Sequence, residues 1–171
     1  MNNIIKCYCY TEELTKESNK KCITRIDELI SSGIWNRDVF EWQTYPNLYE
    51  YDEFEPYTKT FIESCEKYSN KKIDDPKLKM WSYVDHQNHY VNLDRDKLWH
   101  AHTGDFSGFF YLDIPTDDGD ISESGTEFYD GPNIVPEYFC WFICPSHLLH
   151  RPGKIKSVKK RYVLAANIYI N

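Results

Sequence analysis

The sequence predicts an α+β fold that is mainly β, with its helices confined to the first part of the chain. Two observations lead to this prediction. Apolar residues recur at helical spacing up to about residue 75, whereas the remainder consists of short runs rich in aromatic and β-branched residues. Turn signals such as Asp117-Asp-Gly119 and Asp130-Gly-Pro132 separate these runs. Short strands at this spacing indicate an antiparallel sandwich or barrel, with the helices packed on one sheet.

The first part is expected to contain one short strand and two helices. Residues 4–10 are interpreted as the strand. A helix is predicted from Thr11 to Gly33, with Thr11 as N-cap and Gly33 as the residue that ends it. A second helix is predicted over residues 54–68, because apolar residues recur there at helical spacing and Pro56 is tolerated in a first turn.

The second part contains six runs that are predicted as strands. They are Met80–Val84, His89–Leu93, Ser107–Ile114, Thr126–Tyr129, Tyr138–Cys144 and Arg161–Ile170. The chain is therefore interpreted as a single domain over residues 1–171. Within it, residues 1–75 would form a helical support and residues 76–171 the β core.

Composition excludes several classes of protein. A chain with 41% hydrophobic and 16% aromatic residues is not disordered, and its longest apolar runs are far shorter than the ~20 residues of a membrane span. The start of the chain lacks the features of a signal peptide, so a cytoplasmic location without membrane contact is expected, in the host if the protein is viral. The six cysteines show no CxxC pair and are interpreted as reduced, mostly buried thiols.

The charge of the chain disfavours nucleic acid as a bulk partner. The formal net charge is -7 and the pI is near 5.3. A basic run from Arg151 to Arg161 is the local exception. A solvated loop is the favoured interpretation of this run, and a local contact with an anion is the alternative.

A pair of histidines provides the first indication of chemistry. An extended chain would point His100 and His102 to the same face, where two imidazoles can bind one divalent ion. Two incidental surface histidines remain an equally open interpretation of that spacing. His150 follows a later predicted strand, and Arg161 begins the last one. Together these are the parts of a metal-centred barrel that binds a carboxylate cosubstrate, since the planar fork of arginine grips a carboxylate at two points.

Six motifs in a fixed order extend this pattern from about residue 40 to residue 171. They are Trp42-Gln-Thr44, Trp81-Ser-Tyr-Val84, His100-Ala-His102, Ser107-Gly-Phe-Phe-Tyr-Leu112, Cys144-Pro-Ser-His-Leu-Leu-His150 and Arg161-Tyr-Val-Leu-Ala-Ala-Asn167. With these motifs the chain resembles the Fe(II)/2-oxoglutarate-dependent oxygenases, in particular their short phage and bacterial members. High usage of Asn, Lys, Tyr and Ile also suits the AT-rich genome of a phage or virus.

The resemblance implies a double-stranded β-helix, a jelly-roll and cupin-like fold, that holds Fe(II) at one open end. It implies that His150 is the distal metal ligand, that Arg161 pairs with the far carboxylate of 2-oxoglutarate, and that Tyr111 helps to line that pocket. The activity implied is a dioxygenase of the hydroxylase type, which consumes O2 and 2-oxoglutarate and releases succinate and CO2. The primary substrate stays open among a protein side chain, a nucleobase and a small molecule, and the oligomeric state is open too.

The sequence departs from the wider superfamily at one metal ligand. Where the usual triplet is His-x-Asp/Glu, this chain has His102 at the third position. Three ligand sets remain open: His100, His102 and His150 together; His102 and His150 with water; or a set in which Asp105 supplies the carboxylate. The first is favoured, because His100 and His102 share a face.

Two other classes of function compete with the oxygenase. A cupin-type metalloprotein would also use His-x-His and a later histidine, without a cosubstrate. A non-catalytic β-barrel that acts as a binding module is the second alternative, in which the histidines are incidental. Glu127 is expected to be an ordinary strand carboxylate that is close enough in sequence to support the site.

Overall fold

The structure is a computed structural model that describes residues 4–33, 43–90, 94–117 and 121–170. Its strands are β1 (Ile5–Tyr8), β2 (Lys77–Asp85), β3 (Phe106–Asp113), β4 (Thr126–Phe128), β5 (Asn133–Ile134), β6 (Cys140–Pro145), β7 (His150–Pro152) and β8 (Arg161–Tyr169). Its α-helices are α1 (Lys16–Ser31) and α2 (Glu55–Ser69). Short 3-10 turns cover Leu48–Glu50, Asp52–Phe54, Gln87–Tyr90 and Arg95–Leu98.

The strands form two antiparallel sheets. The large sheet has the order β1-β6-β3-β8-β2 and the small sheet the order β5-β4-β7. In the part of the chain that is described, two separate sheets are present rather than one closed barrel. The mainly-β α+β class predicted from the sequence is therefore confirmed.

Side chains of β3 alternate between two apolar cores, as the pleat of a strand requires. Phe110 and Leu112 belong to the core beneath the helices, where Phe61 of α2 packs against Trp141 of β6 with ring centroids 4.9 Å apart. Side chains between the two sheets form the second core, to which Phe109, Tyr111, Phe128, Ile134, Phe142 and Val163 contribute. The large sheet thus has the helices on one face and the small sheet on the other.

The first helix begins later than predicted. Thr15, not Thr11, is its N-cap: Ser18 N donates to Thr15 Oγ1 at 3.1 Å, and Thr15 N donates to Ser18 Oγ at 2.8 Å. This reciprocal pair is a capping box with serine at its third position, and it satisfies two donors at the start of the helix. Thr11 instead accepts from Leu14 N before the helix. Gly33 follows the end of the helix with a φ of 78°, as a stop residue should.

Helix α2 and most predicted strands are found within a few residues of their expected bounds. The strand predicted at His89–Leu93 is wrong where the structure describes it, because Gln87–Tyr90 is a 3-10 turn; residues 91–93 lie outside the described residues. Strands β5 and β7 were not predicted. They have two and three residues, too short for an alternating pattern to be recognised.

Three expectations about composition are tested by the structure. All six cysteines are free and buried, which confirms the interpretation as reduced thiols. The basic run is matched by acidic partners: Lys156 with Glu123, Lys159 with Asp117, Lys160 with Asp27, Arg151 with Glu127 and Asp96, and Arg161 with Asp85. Much of its charge is therefore compensated within the chain. Among the described residues, neither helix has the length and apolar character needed to cross a membrane.

Candidate metal centre

Three histidines converge at one end of the space between the sheets. His100 and His150 are joined by two backbone hydrogen bonds: His100 N donates to His150 O at 3.0 Å, and His150 N donates to His100 O at 2.9 Å. His102 N donates to Ser146 O at 2.8 Å. The segment that carries His100 and His102 is thus extended against β7 and the end of β6, which brings all three imidazoles together.

The three imidazole rings present a compact set of nitrogens. One ring nitrogen from each residue lies within 4.8 Å of the others, and His102 Nε2 is 3.2 Å from His150 Nε2. Nδ1 of His100 lies 2.8 Å from Leu98 O, and Nδ1 of His150 lies 2.8 Å from Leu148 O. Because a carbonyl only accepts, these contacts place the proton on Nδ1 and leave the Nε2 lone pair of both rings for a metal.

Burial keeps the cluster neutral. Removal from water, together with the neighbouring rings of His150 and His100, lowers the pKa of His102 to about 3. Burial likewise lowers the pKa of His150 to about 4. It also lowers the pKa of His100, against the opposing effect of the Leu98 carbonyl. Neutral imidazoles are the form that ligates transition metals.

The closest pair of donors has the spacing of two ligands of one divalent transition metal. Two nitrogens that ligate at about 2.1 Å and at a right angle lie about 3 Å apart, close to the His102–His150 separation. The structure does not bring Asp105 into the cluster: its Oδ2 accepts from Ile170 N at 2.7 Å, at the end of β8. Three histidines, rather than two and a carboxylate, are therefore the groups that the described residues bring together.

The predicted carboxylate anchor lies at the start of β8. Arg161 has 0% exposure and stands directly across from Asp85 in the β2–β8 register. Arg161 Nε donates to Asp85 Oδ1 at 2.9 Å, and Nη2 pairs with Asp85 Oδ2. Nη1 also donates to Gly125 O at 3.3 Å, and Nη2 to Gly153 O at 3.4 Å. The guanidinium is thus held by β2 and by the segments that flank the small sheet.

Hydroxyl groups surround this arginine. Tyr111 is fully buried on β3, and its hydroxyl lies 2.9 Å from Thr126 Oγ1. Burial raises the pKa of Tyr111 above its usual value, so the phenol stays protonated. Burial also raises the pKa of Tyr83 to about 12, and the guanidinium of Arg161 lies 5.9 Å from the centre of that ring. Two phenols and one hydroxyl therefore offer neutral hydrogen-bond donors next to the cation.

The small sheet connects the histidine cluster with the surroundings of Arg161. Gly153, whose carbonyl contacts Arg161, follows His150 by three residues along β7 and its continuation. Three extended residues span about 10 Å. That length suits a small diacid that ligates a metal at one end and reaches a cation at the other.

An ion-pair network supports the histidine segment from outside. Glu127 accepts from Arg95 Nη2 at 2.5 Å and from Arg151 Nε at 2.7 Å. Arg151 also donates to Asp96 Oδ1 at 3.1 Å, and its guanidinium lies 4.2 Å from the centre of the Trp99 ring. The network joins β4 and β7 to the residues just before His100.

Sequence reasoning found part of this site and missed part of it. It selected the three histidines, Arg161 and Tyr111, all of which line the space between the sheets or its end. It missed Asp85, which lies one residue beyond the predicted strand Met80–Val84 and meets Arg161 only through the register of β2 against β8. It also missed Arg95, whose role depends on a contact with Glu127 that no local pattern indicates.

Comparison with known proteins identifies the fold. No family model matches the sequence, and no curated protein matches it. Among solved structures, the viral collagen prolyl hydroxylase of Paramecium bursaria chlorella virus 1 is similar, with a TM-score of 0.62, 16% identity, and coverage of 98% of this chain and 90% of that chain. A prolyl-4-hydroxylase of Pseudomonas putida gives a TM-score of 0.60 at 10% identity, covering 100% of this chain and 94% of the other.

A third similar structure is described by its cofactor chemistry. It is SnoN, a non-heme alpha-ketoglutarate-dependent epimerase of nogalamycin biosynthesis, with a TM-score of 0.63, 9% identity, and coverage of 99% of this chain and 79% of that chain. These matches confirm the double-stranded β-helix that was expected from the sequence. At such low identity they establish the fold and leave reaction and substrate to the residues of this chain.

Proposed function

We propose that this chain is an Fe(II)- and 2-oxoglutarate-dependent dioxygenase that hydroxylates a substrate and releases succinate and CO2. In this proposal His100, His102 and His150 hold the iron, and Arg161 and Tyr111 receive the distal carboxylate of 2-oxoglutarate. The observation that carries it is the convergence of three neutral imidazoles in the fold shared with an alpha-ketoglutarate-dependent enzyme. Bound iron, cosubstrate and O2 would supply the oxidising power for attack on an unactivated C–H bond.

The residues of the chain have distinct tasks in this reaction. The carbonyls of Leu98 and Leu148 fix the rings of His100 and His150, so that the ligand geometry is set before a metal arrives. Aromatic rings shield the metal-binding nitrogens from water: Trp81 lies 5.2 Å from the ring of His102, and Phe128 lies 5.5 Å from that of His150. A dry site favours electrostatic contacts and suppresses side reactions.

The ligand set also favours an anionic cosubstrate. Three neutral histidines leave the full charge of a divalent ion uncompensated by protein. A bound 2-oxo acid would supply that missing negative charge. Iron and cosubstrate are therefore expected to bind with strong mutual cooperativity.

Anaerobic titration tests the proposal. Addition of Fe(II) and then 2-oxoglutarate should produce the metal-to-ligand charge-transfer absorption of a chelated 2-oxo acid, and O2 should then give succinate. His150→Ala should abolish both signals, while His147→Ala, at an exposed position three residues away, should retain them. Normal succinate formation by His150→Ala would refute the assignment of the metal ligands.

The same titration separates the alternatives. A cupin-type metalloprotein would bind Fe(II) without developing the charge-transfer band when 2-oxoglutarate is added. A non-catalytic binding module would bind neither. The oxygenase is preferred because Arg161, buried with two phenols beside the small sheet, has the character of a carboxylate site that a simple metalloprotein does not need.

For the primary substrate we propose only a chemical class. Two of the similar structures are named prolyl hydroxylases, which favours a protein side chain over a nucleobase or a small molecule. Three further predictions from the sequence stand beside this proposal. They are a cytoplasmic location, a phage or viral origin, and a single domain in which residues 1–75 support residues 76–171. The six buried, unpaired thiols agree with a reducing compartment.

A further inference from the structure

The arginine that is expected to receive a carboxylate already holds one. Asp85 has 6% exposure and Arg161 has 0%, and the two face each other across neighbouring strands. The carboxylate engages Nε and Nη2 side by side, which is the two-point geometry that makes such pairs strong. The edge of the guanidinium best suited to an incoming carboxylate is thus occupied by the protein.

The charge of this pocket is balanced by the pair. Among the described residues near the guanidinium are the carboxylate of Asp85, the carbonyls of Gly125 and Gly153, and the neutral hydroxyls of Tyr83, Tyr111 and Thr126. A ligand carboxylate that enters would bring a second negative charge to a cation that is already compensated. In a buried site, where water screens little, repulsion from Asp85 would offset much of the attraction to Arg161.

We propose that Asp85 determines cosubstrate specificity by holding Arg161 as a neutral pair, which weakens binding of the distal carboxylate of a dicarboxylic 2-oxo acid. This inference rests on the proposed function. The natural chain therefore discriminates poorly between 2-oxoglutarate and a 2-oxo acid of equal length that lacks the second carboxylate, such as 2-oxopentanoate. Removal of the charge on Asp85 converts the pocket into a strong dicarboxylate site.

Equilibrium binding of the two acids tests this inference without turnover. Calorimetry on the protein loaded with Mn(II), under anaerobic conditions, gives affinities for 2-oxoglutarate and 2-oxopentanoate. In Asp85→Asn the amide keeps the shape and one acceptor but removes the negative charge that faces Arg161. We expect 2-oxoglutarate to bind ~10-fold more tightly or better than in the wild type, and the affinity for 2-oxopentanoate to be unchanged.

A second variant is included in case the first fails to fold, because removing a carboxylate that faces a buried cation is destabilising. The double variant Asp85→Asn/Arg161→Gln removes both charges together, and it should show the weak discrimination of the wild type. A wild type that already prefers 2-oxoglutarate ~100-fold, with that preference lost in the double variant, would overturn the inference.

The outcomes also separate this inference from the proposed function. Weaker binding of 2-oxoglutarate by Asp85→Asn, or equal changes for both acids, would mean that Asp85 merely positions the guanidinium, and would overturn this inference alone. Absence of binding of either acid to any of the three proteins would overturn the proposed function, and the inference with it. Tighter and selective binding of 2-oxoglutarate by Asp85→Asn supports both.

Discussion

Replacement of Glu127 by glutamine tests the network that supports the histidine segment. The side chain of Glu127 is 16% exposed and accepts from both Arg95 and Arg151. Glutamine keeps the shape but turns an amide NH2 towards one of these cations. Two charge-assisted hydrogen bonds are weakened, and two half-buried guanidinium groups lose their shared counter-charge.

The magnitude follows from the burial of the three groups. Breaking a buried ion pair on one side costs several kcal/mol, whereas an exposed pair contributes less than about 1 kcal/mol. Arg95 is 25% exposed and Arg151 is 15% exposed, so the network lies between these two cases. We therefore expect the free energy of unfolding to fall by about 2 kcal/mol. For a chain of this size that lowers Tm by about 4–8 °C. Glu123→Gln is the matched control, because Glu123 is 58% exposed and pairs with Lys156 at 3.3 Å.

The effect of Glu127→Gln should depend on pH. Burial raises the pKa of Glu127, but hydrogen bonds from Arg95 and Arg151 and their charges outweigh it and hold the pKa below its usual value of 4.5. A depressed carboxylate pKa stabilises the fold above that value, and the contribution is lost as the pH falls through the pKa of the folded state. The difference in Tm should therefore be full at pH 7 and should shrink below about pH 4.5.

Thermal unfolding followed by circular dichroism at several pH values measures both effects. A Tm for Glu127→Gln within 1 °C or so of the wild type at pH 7 would refute the reasoning, since the network would then contribute no more than an exposed pair. A difference in Tm that grows on acidification would refute the assigned direction of the pKa shift.

Two other predictions concern the cores. Gly108→Ala should lower the free energy of unfolding by about 1–3 kcal/mol in urea titration, because a Cβ there would lie 2.7 Å from Phe61 Cε2 and 2.9 Å from Ile143 Cδ1; an unchanged urea midpoint would contradict the packing. The six thiols should resist Ellman's reagent in the native protein and all react in denaturant, because they are buried and burial raises the pKa of Cys22, Cys140 and Cys144 to about 12. A thiol that reacts within seconds under native conditions would contradict this.

Elements with a strong period could be predicted from the sequence. Helix α2 buries one face at helical spacing, whereas β3 and β8 are buried almost throughout and read as continuous apolar runs. Both kinds of pattern are visible in the sequence alone. The start of α1 was placed at the wrong threonine, because Thr11 and Thr15 are both plausible caps and only the reciprocal bond with Ser18 decides between them. Strands as short as β5 and β7 owe their existence to pairing with β4, a contact between distant residues.

Some features of the candidate site could likewise be predicted from the sequence, and others could not. The positions of His100, His102 and His150 follow from an extended triplet and a strand end, and the structure brings them together as that pattern indicates. The role of Asp105 was left open by the sequence, because its spacing alone does not show that its carboxylate accepts from Ile170 N. The partnership of Asp85 with Arg161 needs the register of β2 against β8, which no local signal contains.

The separation of the histidines along the chain has a consequence for folding. His102 and His150 are 48 residues apart, and their rings meet only when the intervening chain has closed into a loop. Bringing such distant residues together costs loop-closure entropy, which the contacts of the folded chain must offset. The cluster is therefore a property of the folded chain and is absent from the unfolded one. An ion that requires all three imidazoles binds the native state alone, and so shifts the folding equilibrium towards it by mass action.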